Sequence, residues 1–309
     1  MKDLIEKKHK ILQTIVKEIA HEIVGKEEEI KLILTAFFAR GHVLIEDLPG
    51  LGKTSLAKAI SKVIHLDFNR IQGSTDLLPS DIVGVNIFNP SESSFELHRG
   101  PIFTQILLFD EMNRTPPKTQ SALLQVMAEN QVTIDQDTYD VKTPFFVIGT
   151  QNPVSSDGTY RLPDSQLDRF SIRLSLGYPK QEQEKNIILG LFEEQSCNQI
   201  SINEILEIQT LADKVHVEPA IVDYLLEIVE ITRQDNSLSH GISVRGSIEM
   251  IKLAKVRAIF ENRDFVIPED IKILAPNVLA HRVLSLKLVD RAAQENYIKS
   301  ILEQVTIPA

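Results

Sequence analysis

Residues 42–58, HVLIEDLPGLGKTSLAK, constrain the fold of this chain more than any other stretch. A short apolar run gives way to a Pro/Gly-rich turn, after which Lys53 and Thr54 open a helical pattern. Strand, loop and helix in that order make a cradle for a polyphosphate. Successive backbone N–H groups and the positive end of the helix face the anion, Lys53 neutralises it, and the Thr54 hydroxyl reaches Mg²⁺. Only the second half of the pattern GxxxxGK[ST] is matched, because its first glycine falls at Asp47. The same half pattern fits a plain strand-to-helix turn in which Gly50 and Gly52 serve backbone geometry alone.

The 309 residues suggest two domains or one large one. A net charge of -10 argues against nonspecific binding to nucleic acid or an anionic membrane. One cysteine, Cys197, cannot form an intrachain disulfide, and no histidine sits at metal-ligand spacing. The opening MKDLIEKKHK has no apolar leader core and no run approaches membrane-spanning length, so a cytoplasmic protein without membrane insertion is expected.

Helical spacing is expected over residues 1–20 and 27–39, ahead of the first strand. A helix after the loop and a strand over 68–72 complete a βαβ unit. A short helix near 77–81 and a hairpin pairing 85–88 with 95–98 follow. The apolar run 105–109 reads as a third strand ending in Asp110 and Glu111. In a parallel sheet the ligand crevice lies at the strand carboxyl ends, which puts these acids beside Lys53; a solvated acid pair in a turn is the plainer reading. A helix over 118–129, a second hairpin in VTIDQDTYDV and a fourth strand over 145–149 come next. The fourth strand leads to Asn152, a polar amide at the crevice edge or simply part of an Asn-Pro turn. A short helix over 164–170 and a fifth strand over 171–176 end the α/β part. Beyond Gly177 the patterns are helical: 182–192, 202–211, 219–232, 246–261, 268–279 and 290–304. The expected architecture is an α/β domain over 1–177 with a five-stranded parallel sheet, followed by an all-α domain over 178–309.

In order, PGLGKT, ILLFDEMNR, GTQNP, LPDSQLDRF and GISVRGS resemble the motifs of the AAA+ ATPases. Longer stretches such as DLLPSDIVG, RGPIFTQILLFDEMNRTPPKTQSALLQVMAE and RDFVIPEDIKILAPNVLAHR resemble the MoxR family, within the helix-2-insert clade. The resemblance implies a P-loop core with a helical lid. It implies that ATP or ADP is held by Val24, Gly25, Pro49, Gly50, Leu51, Gly52, Lys53, Thr54 and Ser55, with Mg²⁺ organised by Thr54 and Asp110. Glu111 would polarise the attacking water and Asn152 would order it. Arg169 would be an arginine finger, and Arg245 would couple the nucleotide to the angle of the lid. A salt bridge with Asp168 is the competing reading for Arg169. Arg99 and Arg114 are weaker candidates for contacts between subunits, and Arg161 receives no role. The family also implies a homo-oligomeric ring, most simply a hexamer, remodelling a client protein with a von Willebrand factor A (VWA) domain partner. A scaffold that binds ATP with little turnover and a nucleic-acid motor are the alternatives.

Overall fold

A computed structural model of the chain describes residues 1–153, 159–160, 162–189, 200–283, 285 and 290–308. Two helices come first, α1 (Lys2–Glu22) and α2 (Glu27–Phe38). The α/β part continues with β1 (Val43–Glu46), α3 (Lys53–Val63), β2 (Phe68–Gln72), the short α4 (Pro79–Val83) and a hairpin of β3 (Gly84–Asn89) with β4 (Ser94–Arg99). After β5 (Ile106–Asp110) and α5 (Pro117–Glu129) lies a second hairpin, β6 (Gln131–Ile134) with β7 (Asp137–Asp140). Strand β8 (Phe146–Gln151), α6 (Asp164–Leu167) and β9 (Ile172–Leu174) complete it. The helical part contains α7 (Gln181–Ile188), α8 (Ile202–Asp213), α9 (Pro219–Gln234), α10 (Val244–Phe260), α11 (Pro268–Leu279) and α12 (Arg291–Leu302).

The five-stranded sheet runs β2-β5-β8-β1-β9 with every neighbouring pair parallel. Strands β5 and β8 are apolar almost throughout and buried, as a parallel sheet covered on both faces requires. The register aligns the strand ends: Glu46 of β1 lies opposite Gln151 of β8, and Gln72 of β2 opposite Asp110 of β5. One edge of the sheet therefore carries the loop after β1, the acids after β5 and the amide after β8. The expected strands and both hairpins are present. Two strands extend a residue or two past their expected ends, and the fifth contracts to Ile172–Leu174.

Helix α1 turns Ile5, Leu12, Ile15, Val16 and Ile19 inward, and it packs on α2, α3 and α10. The apolar core under α1 to α3 runs without interruption into α8 to α12, while a smaller cluster under α5 and the hairpins fills the other face. Pro219 and Pro268 stand at the first turns of α9 and α11, where no N–H is missed. No helix among the described residues is long and apolar enough to cross a membrane. Cys197, Arg161 and the end of the helix expected over 182–192 lie outside the described residues.

Candidate functional site

The loop after β1 owes its shape to two glycines. Gly50 and Gly52 have φ of 85° and 80°, and open space surrounds the position a Cβ would take at each. Gly52 immediately precedes α3, which has neither a side-chain cap nor an acidic residue in its first turn, so the first amides of the helix face the open edge. That arrangement fits a phosphate chain. Lys53 is buried and donates to Asp47 O at 2.8 Å and Leu48 O at 3.3 Å. Burial lowers its pKa, while the charges of Asp110, Asp47 and Glu111 act in the opposite direction. The half-buried Thr54 and exposed Ser55 follow, and Pro49 and Leu51 flank the glycines.

Asp47, where the phosphate-loop pattern has glycine, is an anchor. Its carboxylate accepts hydrogen bonds from Ser175 Oγ at 2.6 Å, Leu176 N at 2.5 Å and Gly177 N at 3.3 Å. It thereby fastens the start of the loop to the segment leading from β9 into α7. From the other side the Lys26 ammonium donates to Leu176 O and Tyr178 O. Next to Lys26, Gly25 has φ of 75° and lies against the Gln183 side chain of α7, with Val24 half-buried beside it.

At the end of β5, Asp110 is nearly buried. Its Oδ1 accepts from Thr150 Oγ1 at 2.6 Å, and its Oδ2 pairs with Arg70 at 2.7 Å. Glu111 leaves the strand in a left-handed conformation, φ 53° and ψ 48°, and its N–H donates to Thr150 Oγ1. Gly73 permits this turn, since a Cβ there would lie 2.3 Å from Glu111 O. The Glu111 carboxylate forms an ion pair with Arg114 at 2.9 Å. Arg114, a weaker candidate for a contact between subunits, thus holds the candidate base within its own chain. Asn152 accepts through its main-chain oxygen from Asn113 Nδ2 at 3.1 Å. It lines an open pocket of about 660 Å³ with Glu46, Asn113, Gln151 and Arg173. Thr54 and Asp110 supply a hydroxyl and a carboxylate, hard oxygen donors suited to a Mg²⁺ ion that keeps its phosphate and water ligands.

Arg169 and Arg245 lie elsewhere. Both line a crevice of about 230 Å³ with Arg40, His42, Asp168 and Glu249. His42 precedes β1 and Ser171, also on the crevice wall, precedes β9, so the crevice is at the amino edge of the sheet. The phosphate loop is at the carboxyl edge. Within one chain, the two arginines and the phosphate loop therefore lie at opposite edges of the sheet. The expected competitor for Arg169, a salt bridge with Asp168, is also not formed: Asp168 pairs with Arg282 at 2.8 Å, and Arg169 donates to Leu124 O. Arg99 is exposed on the first hairpin, its guanidinium 5.0 Å from the Phe103 ring centroid.

Sequence reasoning passed over Arg70, Thr150 and Arg282. Thr150 carried a readable signal, since it follows the apolar run of β8 one strand away from Asp110. Arg70 and Arg282 carried none, because their partners lie 40 and 114 positions away.

Comparison with known proteins adds to this geometry. Residues 42–172 match the model of the ATPase family associated with various cellular activities (AAA), and residues 230–303 match the AAA lid domain. The chain is 43% identical to the uncharacterized protein YeaC of Bacillus subtilis, covering 97% of this chain and 96% of that one. It is 36% identical to the chaperone MoxR1 of Mycobacterium tuberculosis, covering 96% and 82%. The crystal structure of a provisionally assigned ATPase from Cytophaga hutchinsonii superposes with a TM-score of 0.87 at 36% identity, covering 98% of both chains.

Proposed function

Because this chain belongs to the MoxR family of AAA+ ATPases, we propose that it hydrolyses ATP at sites completed between the subunits of a ring, most simply a hexamer. One observation carries the reading. The phosphate loop and the acids occupy the carboxyl edge of the sheet, while Arg169 and Arg245 share a crevice at its amino edge. One chain does not bring both sets to the same phosphate. A head-to-tail contact does, and repeated contacts of that kind close into a ring.

Bound Mg²⁺·ATP supplies the phosphoanhydride bond and a metal that screens its charge. The amides from Gly50 to Ser55, with Pro49 and Leu51 shaping the loop, hold the phosphates, and Lys53 neutralises them. Val24 and Gly25, beside α7, border the nucleoside. Thr54 and Asp110 would hold the metal, with Asp110 exchanging its Arg70 contact for that role. Glu111, released from Arg114, takes the proton of the attacking water, and Asn152 orders that water. Arg169 and Arg245 of the adjoining subunit stabilise the charge spread over the γ-phosphate oxygens. The lid is taken to begin after Gly177, so the Asp47 contact with residues 175–177 lies at the hinge. Hydrolysis would shift that hinge, and the ring would act with a VWA-domain partner on a client protein, including its maturation or metal loading.

The test is Glu111→Gln. This variant is expected to bind a fluorescent ATP analogue as the parent does and to lose turnover by on the order of 10² to 10⁴, as removal of a general base does. Phosphate release equal to that of the parent would remove Glu111 from its role.

A further inference from the structure

Asp168 and Ser243 are each within two residues of a crevice arginine, and they touch. The Ser243 hydroxyl lies 3.3 Å from both carboxylate oxygens of Asp168, while its oxygen accepts from Gly246 N at 3.1 Å and so caps α10. A second bridge joins the same two segments, from Ser171 Oγ to Glu249 Oε2 at 2.7 Å. Under both lies Arg282, whose side chain is 1% exposed. Its Nε donates to Asp168 Oδ1 at 2.8 Å, and its Nη2 to Phe170 O at 2.9 Å and Asp168 O at 3.3 Å. Its Nη1 lies near Val278 O, His281 Nε2 at 2.9 Å and Ser171 O at 3.4 Å. The guanidinium is thus surrounded by polar atoms on every side, and four of its oxygen contacts fall on residues 168–171. The other arginine-bearing segment closes over the same side chain, since a Cβ at Gly246 would lie 2.7 Å from Arg282 Cδ.

We propose that Arg282, Asp168 and Ser243 form a positioning unit that fixes the backbones of Arg169 and Arg245 relative to each other, so that the two guanidinium groups reach one phosphate together. Arg169 is half-buried and Arg245 exposed, and among the described residues neither side chain is locked by a carboxylate partner in the way Arg282 is. Two long side chains aimed at a common anion from independently moving segments would seldom meet it at once. Joined bases remove that freedom. A lysine at 282 would keep the charge but lose the planar fork that spans Asp168, Phe170 and Ser171. The unit rests on the reading that these arginines act on a neighbour's nucleotide.

The experiment keeps the two ideas apart. Full-length Arg169→Ala, Asp168→Asn and Ser243→Ala are each assayed alone and mixed with Lys53→Ala, with co-assembly confirmed by mass photometry. Asp168→Asn and Ser243→Ala are expected to bind a fluorescent ATP analogue within about twofold of the parent and keep its KM, while kcat falls roughly tenfold or more, as for a misplaced transition-state contact. Mixing should restore turnover, because Lys53→Ala subunits present correctly placed arginines to the intact phosphate loops of their neighbours. A parental kcat in both variants, with Arg169→Ala inactive, overturns the positioning unit alone. Failure of Arg169→Ala to be rescued in confirmed mixed rings overturns the action across the interface. Ser243→Ala removes a single half-buried hydroxyl, so it carries the test even if Asp168→Asn does not fold.

Discussion

At the carboxyl edge of the sheet the chemical groups hang from a few consecutive residues of one loop, whereas at the amino edge two arginines are held from beneath by a third. The phosphate loop is shaped by positive-φ glycines with open space around them, and its lysine rests on the loop's own carbonyls. The arginine crevice has a desolvated guanidinium as its base and draws on segments from both parts of the chain. Between Leu48 and Gly52 the first arrangement can rearrange cheaply when a ligand arrives, because open space surrounds its glycines and Lys53 has only two main-chain carbonyls to leave. The second resists rearrangement, since each displaced N–H would be left unpaired in the interior. The contrast suits a site in which one subunit wraps the nucleotide and the next presents a fixed probe to it.

The contrast can be broken most directly at Arg282. Arg282→Ala leaves Asp168 without its main partner and several carbonyls without donors, and is expected to cost about 3–5 kcal/mol of stability, read as a lowered urea midpoint. A loss under about 1 kcal/mol would mean that the amino edge is no more tightly built than the loop.

Asp47→Gly tests the opposite edge. It restores the glycine of the phosphate-loop pattern but removes three hydrogen bonds to residues 175–177, and is expected to cost about 2 kcal/mol. The Leu176 and Gly177 amides should exchange with deuterium markedly faster, with the loop still able to bind nucleotide. Unchanged exchange at those amides would show that the hinge does not depend on the loop.

The smallest effect at neutral pH concerns His42, on the crevice wall. Burial pushes it down from 6.5 to about 4, against the Met127 hydrogen bond and the Glu249 charge. The unfolded chain binds a proton near 6.5 and the folded chain only near 4, so the contribution of neutral His42 is complete above about 6.5 and lost as pH falls to about 4. His42→Gln should therefore flatten the decline in melting temperature across that interval. His281, buried nearby and also held well below its ordinary value, would retain part of the slope. An acid limb of identical steepness in the variant would discount His42.

Much of the fold could be read along the chain because its signals are local. Continuous apolar runs at β5 and β8, Pro at the first turns of α9 and α11, and alternation in both hairpins each report on a few neighbouring residues. The same holds for Lys53, Thr54, Asp110 and Glu111, whose order follows from strand ends in a parallel sheet. Asp47 was misleading in sequence. Its absence of positive φ makes glycine unnecessary there, and its carboxylate has partners over a hundred residues away. Arg114, a candidate contact between chains, has a neighbour three residues back that pairs with its charge, a contact that i,i+3 spacing makes readable.

What the sequence determined by itself is the sheet edge that carries the glycine loop, Lys53, Thr54 and the acids Asp110 and Glu111, since each of these follows from residues close together in the chain. Tertiary structure decided which edge the arginines occupy and what holds them there. Asp168, Ser243 and Arg282 meet only after the helical part has folded against β9, and burial then makes their pairing obligatory: an unpaired charge in that position would cost more than the contact contributes in water.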